Sequence, residues 1–279
     1  MLRVTTLASG SSGNAALVSC GTTHILLDAG ISARRITCGL RALGVDPEGL
    51  SAILVTHEHH DHMAGLQVLT KKVRTPVVAS GPTCRQICYK VPFVNDLVRE
   101  QEPGTGVQIG SLWVESFSTP HDAAGSVGYV ITGDGCRMAL CTDLGYVTED
   151  VKRAAAGCDL LLCETNHDED WVKTGPYPYY LKQRILGDRG HLSNEAGAEL
   201  AALAVNAGAR ALVLAHLSSE NNTPAHARGV VARRLSALGA DPERDLSLAV
   251  APRSEPGPTY ELEWGKDIRI IQGREACLC

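Results

Sequence analysis

One stretch, Ser51–Leu66 (SAILVTHEHHDHMAGL), constrains this chain more than any other. Apolar Ala52–Val55 runs straight into Thr56-His57-Glu58-His59-His60-Asp61-His62. An apolar, partly β-branched run with a polar stop predicts a buried strand that delivers its last residues to a loop. Side chains two apart on an extended chain share a side, so His57 and His59 point together. Asp61 and His62 follow where a helix would begin. Imidazoles and a carboxylate converging within six residues are the ligands that zinc, manganese and iron accept. The plain alternative is a histidine-rich surface turn. Against it, four of only 10 histidines in 279 residues fall in this one loop, directly after an apolar strand. His60 and Glu58 face away from the pair and read as solvated or supporting residues.

Composition sets the frame for that loop. At 44% hydrophobic and 20% charged, the chain can bury a sizeable core and still be one domain. Aromatics are only 4%, so the core must be Leu, Val, Ile and Ala. A net charge of -5 argues against a globally basic nucleic-acid binder, although bound cations offset nearby negative charge locally. No signal-peptide layout and no apolar run of membrane-spanning length is present, so a soluble, cytoplasmic protein is expected, with no membrane partner. The ten cysteines contain no C-x-x-C pair and read as small buried hydrophobes in a reducing compartment. Cys84 and Cys88 share one helical face. Cys277-Leu278-Cys279 reads as a frayed tail, with a metal-binding C-x-C as the second reading.

In chain order, Leu2–Leu7 is an expected strand, followed by the loop Ala8-Ser9-Gly10-Ser11-Ser12-Gly13-Asn14. Such small residues can approach an anion through their N–H groups, or simply connect a hairpin. Ser12 and Asn14 are its candidate substrate contacts. Strands Ala15–Ser19 and Thr23–Leu27 follow, the latter ending in Asp28-Ala29-Gly30, where a carboxylate is either a helix cap or a functional group. Helices are expected over Ala33–Leu43, Met63–Leu69, Pro82–Tyr89 and Thr148–Ala156. Strands are expected at Pro76–Ala79, Val107–Ile109, Leu112–Phe117, Ser126–Thr132 and Arg137–Thr142. The Asp134-Gly135 turn joins the last two as a hairpin. That hairpin brings His121 and Asp143 to one edge, 22 positions apart. Leu160–Glu164 is a buried strand that runs into Thr165-Asn166-His167-Asp168. The Tyr, Pro and Lys-rich segment Trp171–Gly190 is irregular, with helix from Tyr180 to Leu186. Ser193 caps an Ala-rich helix through Asn206, and strand Ala211–Ala215 ends at His216. A helix over Thr223–Leu238 precedes strands Leu246–Val250 and Tyr260–Trp264, which are expected to close a sheet. The alternation predicts a layered α/β fold.

His57, His59, Asp61, His62, His121, Asp143 and His216 all lie at ends of predicted strands, so loops at one sheet edge can pool them. A lone His121 or His216 would more often be structural. Two metals roughly 3.5–4 Å apart can share a water, lower its pKa and orient it for in-line attack on phosphorus. Asn166, His167 and Ser193 cluster with His191 at the same expected edge as candidate substrate residues. A departing alkoxide needs a proton, and His191 beside a helix N-terminus suits that task. Capping or packing explains it equally well.

H-x-H-x-D-H resembles the signature of the metallo-β-lactamase superfamily. LASGSSGN, LLDAG, THEHHDH, STPHDAAGSVGYVI, CTDLG, CETNHD and GHLSN together resemble the WalJ (YycJ) family of metallo-β-lactamase-fold hydrolases, from Leu2 to about Trp264. That resemblance implies a four-layer αββα sandwich, with two central sheets and helices on both outer faces. It implies a single metallo-β-lactamase-like domain over 1–265 and a C-terminal tail over 266–279. It further implies His57, His59 and His121 on one ion, Asp61, His62 and His216 on a second, and Asp143 bridging both. The ions would be zinc or manganese. Asp28 would brace the loop without ligating, and Asp61, Asp143 and His191 would carry the catalysis. The family is similar to ribonuclease Z and ribonuclease J, which implies a phosphodiesterase, foremost a 5′-to-3′ exonuclease on DNA, with RNA as the second substrate. Homo-oligomer formation is left open.

The chain also departs from those nucleases. It has no room for the extra nucleic-acid domain of ribonuclease J, and the basic arm of ribonuclease Z is not evident. DNA grip is expected from Lys173, Lys182, Arg184 and Arg189, which could equally be ordinary surface charges. A thioesterase or lactonase type of small-molecule hydrolase would share every metal ligand. A metal-loaded binding protein would be expected to show a broken ligand set, and none of the seven positions is altered.

Overall fold

Near-continuous apolar runs broken at small turns make the first 27 residues an antiparallel meander. In the computed structural model, which describes residues 1–272, it comprises β1 (Leu2–Ala8), β2 (Ala15–Cys20) and β3 (Thr23–Leu27). β4 (Ala52–Leu54), β5 (Val77–Ala79) and β6 (Val98–Glu100) extend the same sheet in parallel. A second sheet holds β7 (Gly106–Ile109), β8 (Leu112–Ser118), β9 (Val127–Gly133), β10 (Cys136–Cys141), β11 (Leu160–Glu164), β12 (Ala211–Ala215) and β13 (Ser247–Val250). β14 (Thr259–Leu262) and β15 (Arg269–Ile271) return to the first. Among the described residues the orders are β15-β14-β1-β2-β3-β4-β5-β6 and β13-β12-β11-β10-β9-β8-β7.

Side-chain alternation builds the layers. On β10, Met138 and Leu140 face the other sheet, while Ala139 and Cys141 face outward. The space between the sheets is filled by Leu2, Val18, Ile25 and Leu54 from one side and Ile131, Met138, Leu162 and Val213 from the other. Leu26 and Ile53 turn outward onto Ile36, Leu69 and Ile87 of three covering helices, Ala33–Ala42, Leu66–Lys72 and Gly81–Lys90. Leu161 and Leu212 do the same with Val151, Leu200 and Leu235 of helices Glu149–Ala155, Asn194–Asn206 and Pro224–Ala237. The architecture is the expected αββα sandwich. The central strands are parallel and covered on both faces, by helices outside and by the other sheet within, which is why they read as unbroken apolar runs.

Parallel pairing also decides where the site forms. Leu27 pairs with Leu54, Cys141 with Cys163 and Glu164 with Ala215. Residues just past those positions therefore leave the sheets at one common edge.

Several local expectations are corrected. The helix expected over Met63–Leu69 is two helices, His60–Met63 and Leu66–Lys72, parted at Gly65. Gly65 N–H donates to Ala29 O (2.8 Å), and a Cβ at Gly65 would sit 2.1 Å from Ile31 O. Strands β13 and β14 close different sheets, because the chain crosses over at Ala251–Pro258. The irregular segment after Trp171 contains part of a helix, Glu169–Thr174, capped by the Asp168 side chain. Strand β6 is mostly exposed and lacks an apolar pattern, so it was not legible. Within the expected tail, Arg269–Ile271 pairs with Thr259–Glu261. Cys277 and Cys279 lie outside the described residues.

One hydroxyl ties the sheets together under the metal loop. Fully buried Tyr129 on β9 donates to Val55 O (3.0 Å), just past β4. Tyr129→Phe leaves that buried carbonyl without its partner, at an expected cost of roughly 1–3 kcal/mol in urea unfolding. An unchanged denaturation midpoint would show that the bond contributes nothing.

Candidate metal centre

The metal loop is laced to its surroundings by backbone. Asn14 N–H donates to Asp61 O, Ala29 N–H to His62 O and Gly30 N–H to Asn14 O, each at 2.8 Å. Gly30 is required by contact, since a Cβ there would lie 1.7 Å from Asp61 O. The side chain of Asp28 accepts from Thr56 N (2.8 Å) and from His62 Nδ1 (2.8 Å). His62 is thereby left presenting Nε2. His121 Nδ1 donates to Gly190 O (3.0 Å) and likewise presents Nε2. Outer partners of this kind fix ring tautomer and direction.

All seven residues expected to hold metal come together. His121 Nε2 lies 3.3 Å from His59 Nδ1. His62 Nε2 and His216 Nε2 lie 3.4 and 3.3 Å from Asp61 Oδ2. Asp143 stands between the groups: Oδ2 is 3.4 Å from His62 Nε2, and Oδ1 is 3.5 Å from His216 Nε2 and 3.8 Å from His121 Nε2. His57, His59 and His121 form one convergent set, Asp61, His62 and His216 another, and His57, His62 and Asp143 a third. Ligands at 2.0–2.1 Å on a tetrahedral ion stand about 3.4 Å apart, which is the spacing found. Two buried atoms, His57 Nε2 and Asp143 Oδ2, have no hydrogen-bond partner, a costly arrangement unless a cation serves them. The cluster is built for divalent metal.

Electrostatics point the same way. Burial opposes charge on Asp61, yet His62 and His216 hold its carboxyl far below the usual range. Burial likewise works against a proton on His216, but Asp143, Asp61 and Glu164 overcome it and raise the ring to about 10. Burial and the neighbouring imidazoles keep His57 well below the ordinary value. The carboxylates thus create a field that holds positive charge.

The remaining site residues divide. His191 lines a cavity of about 160 Å³ over the cluster, together with Ser11, Asn166 and Tyr177. Its Nδ1 donates to Glu164 Oε1 (2.8 Å). Asn166 also donates to His216 O (2.8 Å). Ser12 is exposed, and Ser11 rather than Ser12 faces the cavity. Asn14 is buried with Nδ2 3.2 Å from His62 Nε2, so it supports the loop. Ser193 caps its helix by accepting from Ala196 N, and His167 is buried, its pKa lowered by burial to about 4. Neither borders the cavity. His60 is exposed, whereas Glu58 is buried and accepts from Ala124 N (2.8 Å). Of the expected basic grip, Lys173 pairs with Glu169 (2.7 Å) and Arg184 with Asp122 (2.5 Å).

Glu164 has no role in the sequence reading and is the main omission. It is fully buried, reaches His191 and His216 (3.2 Å) through Oε1, and accepts from Leu144 N (2.8 Å) and Leu192 N (3.3 Å) through Oε2. Burial would raise its pKa; the two imidazoles pull it well below the ordinary value. The available signal was a single carboxylate closing the otherwise apolar run LLLCE.

Two sheets with outer helices and a histidine–aspartate cluster at their shared edge define a metallo-β-lactamase-fold protein. A family model described as a beta-lactamase superfamily domain matches residues 23–217. Exodeoxyribonuclease WalJ of Streptococcus pneumoniae serotype 2 is 38% identical over 220 residues, 77% of this chain and 81% of that one. Exodeoxyribonuclease YycJ of Bacillus anthracis is 35% identical over 242 residues, covering 85% and 90%. The metallo-β-lactamase fold protein YhfI from Bacillus subtilis shares the fold at a TM-score of 0.66 and 17% identity, over 91% of this chain and 98% of that one. The chain belongs to the WalJ/YycJ family of metallo-β-lactamase-fold hydrolases.

Asp28→Asn keeps the side-chain shape and the tolerance for a positive φ, but removes the charge facing His62 Nδ1. Metal affinity by calorimetry is expected to fall by roughly 10–100-fold with folding intact. Unchanged affinity would reject the bracing role.

Proposed function

We propose that this protein is a metal-dependent exodeoxyribonuclease that removes nucleotides from the 5′ end of DNA. The observation that carries the reading is 35–38% identity to two exodeoxyribonucleases over most of the chain, with the whole candidate ligand set convergent. Residues 1–265 act as the catalytic domain, and the protein works in the cytoplasm. No helix among the described residues is long and apolar enough to cross a membrane.

His57, His59 and His121 would hold one ion, Asp61, His62 and His216 a second, with Asp143 shared. The approach of Asp143 oxygens to His62, His216 and His121 supports the sharing. An all-imidazole and carboxylate set suits zinc or manganese. Ions bound there supply Lewis acidity for a water nucleophile and for the phosphoryl oxygens.

The chain's own residues do the rest. Glu164 holds His191 through Nδ1, so Nε2 is the ring atom free to face a leaving oxygen. His191 there donates the proton that the departing alkoxide needs. Asn166 borders the same cavity and orients the strand end, and the apolar Leu181 and Ile185 beside it limit water.

The test uses DNA and RNA labelled at either end, single- and double-stranded, with zinc or manganese. The expected result is stepwise shortening of DNA from the 5′ end. Asp143→Ala should lose several kcal/mol of charge stabilisation, on the order of 1,000-fold in rate. Internal cuts would remove the exonuclease assignment and keep the chemistry. Thioester or lactone turnover without DNA cleavage would replace the assignment altogether.

A further inference from the structure

We propose that Ser11 and Ser218, with Arg253 behind Ser218, form a second phosphate subsite beside the metal centre, which takes the phosphate preceding the scissile one in the strand. The inference rests on the nuclease reading above and adds the residues that grip the departing unit.

Two loops supply this wall of the cavity. Ser11 comes from the glycine–serine loop after β1, and Ser218 lies two residues beyond His216; both border the cavity that His121 and His191 line. The loops are held together. His216 N donates to Ser9 Oγ (2.9 Å), Ser218 N donates to Asn166 O (2.8 Å), and a Cβ on Gly10 would stand 3.3 Å from Leu217 O. Gly13 N–H closes the turn on Gly10 O (3.0 Å). The N–H groups of Ser11 and Ser12 at its centre donate to nothing among the described residues, and successive free amides of this kind can receive an anion.

The side chains add donors and charge. Ser218 is only 8% exposed. Its Oγ accepts from Asn221 N (3.1 Å), while its own proton has no acceptor among the described residues. Arg253 packs behind it: Nη2 donates to the carbonyls of Ser218 and Asn222, and the buried Nε has no partner. Arg184, Arg228 and Arg234 each pair with a carboxylate, but none pairs with Arg253 among the described residues. A half-buried guanidinium without a counter-ion is costly, and an anion nearby relieves that cost. Of the residues lining the cavity only Asp122 carries a carboxylate, and Arg184 holds it. The serine wall therefore offers hydrogen-bond donors and positive potential to a cavity that it shares with the metal cluster. The metals take the scissile phosphate, so the second anion is the adjacent phosphate of the same strand. With the strand end in this cavity, as read above, that phosphate is the one on the terminal side.

The test measures, by calorimetry on the metal-loaded protein, the affinities of thymidine 3′,5′-bisphosphate and thymidine 3′-monophosphate. Wild type should prefer the bisphosphate by roughly 10- to 100-fold, the range for hydrogen bonds to a charged group. Ser218→Ala and Arg253→Met should each lower that preference about tenfold and leave affinity for the monophosphate unchanged. Ser11→Ala, at an exposed position where folding is not at risk, should lower it roughly 2- to 10-fold. Arg253→Lys, which keeps the charge, should retain most of it. Unchanged melting temperatures identify folded variants. No preference in the wild type, a preference that survives all three truncations, or an equal loss for both nucleotides overturns the subsite, while DNA cleavage by the wild type upholds the nuclease reading. KM for DNA with a 5′-phosphate or a 5′-hydroxyl identifies the source of the phosphate. A lower KM for the phosphorylated end that disappears in Ser218→Ala assigns the terminal phosphate; equal KM values with the bisphosphate preference intact assign an internal phosphodiester and uphold the subsite. A wild type that binds neither nucleotide and cuts no DNA overturns both readings.

Discussion

The Asp28 carboxylate joins two parts of the histidine–aspartate cluster that the rest of the fold brings to one edge. It lies just past β3, is buried, and accepts from both Thr56 N–H and His62 Nδ1–H. Those two bonds join the strand that ends at Leu27 to the loop that begins after Leu54. Without them, the start of the loop and His62, six residues further on, would lose the one carboxylate that holds both, leaving Asn14 Nδ2 beside His62 and Tyr129 OH on Val55 O. Three imidazoles and an aspartate would then have to be ordered against their own entropy each time a cation bound. Holding the ligands in place beforehand moves that cost into folding, where a large aliphatic core offsets it.

Backbone strain is concentrated at the same place. Among the described residues, four non-glycine positions have left-handed φ: Asp28 (57°), Asp134 (51°), Asp143 (61°) and His216 (57°). Asp134 belongs to a hairpin turn, where that conformation is ordinary. The other three directly follow strands or stand one residue beyond them, and they turn the chain so that a side chain enters the cluster instead of continuing over the sheet. Histidine in this region is uncommon, and its presence at position 216 is affordable because Ser9 Oγ accepts from His216 N (2.9 Å) and Asn166 donates to its carbonyl.

The seven converging positions were legible in the sequence because each sits where an apolar run stops, and that pattern survives without any knowledge of pairing. His121 and Asp143 were readable together because Asp134-Gly135 fixes a hairpin between them. Glu164 was not, because a carboxylate ending a strand looks the same whether it meets solvent or two imidazoles. Only the parallel pairing of β11 with β12 decides that, and pairing partners are set by the whole sheet. Ser11 and Ser12 could not be told apart for a related reason, since loop residues one apart differ only in direction. β6 carries little apolar pattern, is mostly exposed and is held by backbone bonds to β5, while β15 has two isoleucines but is exposed throughout and lies within the expected tail.

The floor and the roof of the centre are stabilised by unlike means. Below, Glu164, His216, Asp28 and Thr56 are buried and bonded to one another or to backbone, so displacing any of them leaves a polar group unpaired in a dry interior. Above, helix Tyr179–Leu186 has half-buried residues but no fully buried one, and is tied down by Arg184 to Asp122, by Lys182 Nζ to Lys173 O (2.8 Å) and by His191 N to Ile185 O (3.1 Å). Exposed pairs of that kind contribute about 0–1 kcal/mol each. Local opening is therefore cheaper above the cluster than below it. The roof can then shift by itself, while the spacing of the clustered side chains below is left as it was.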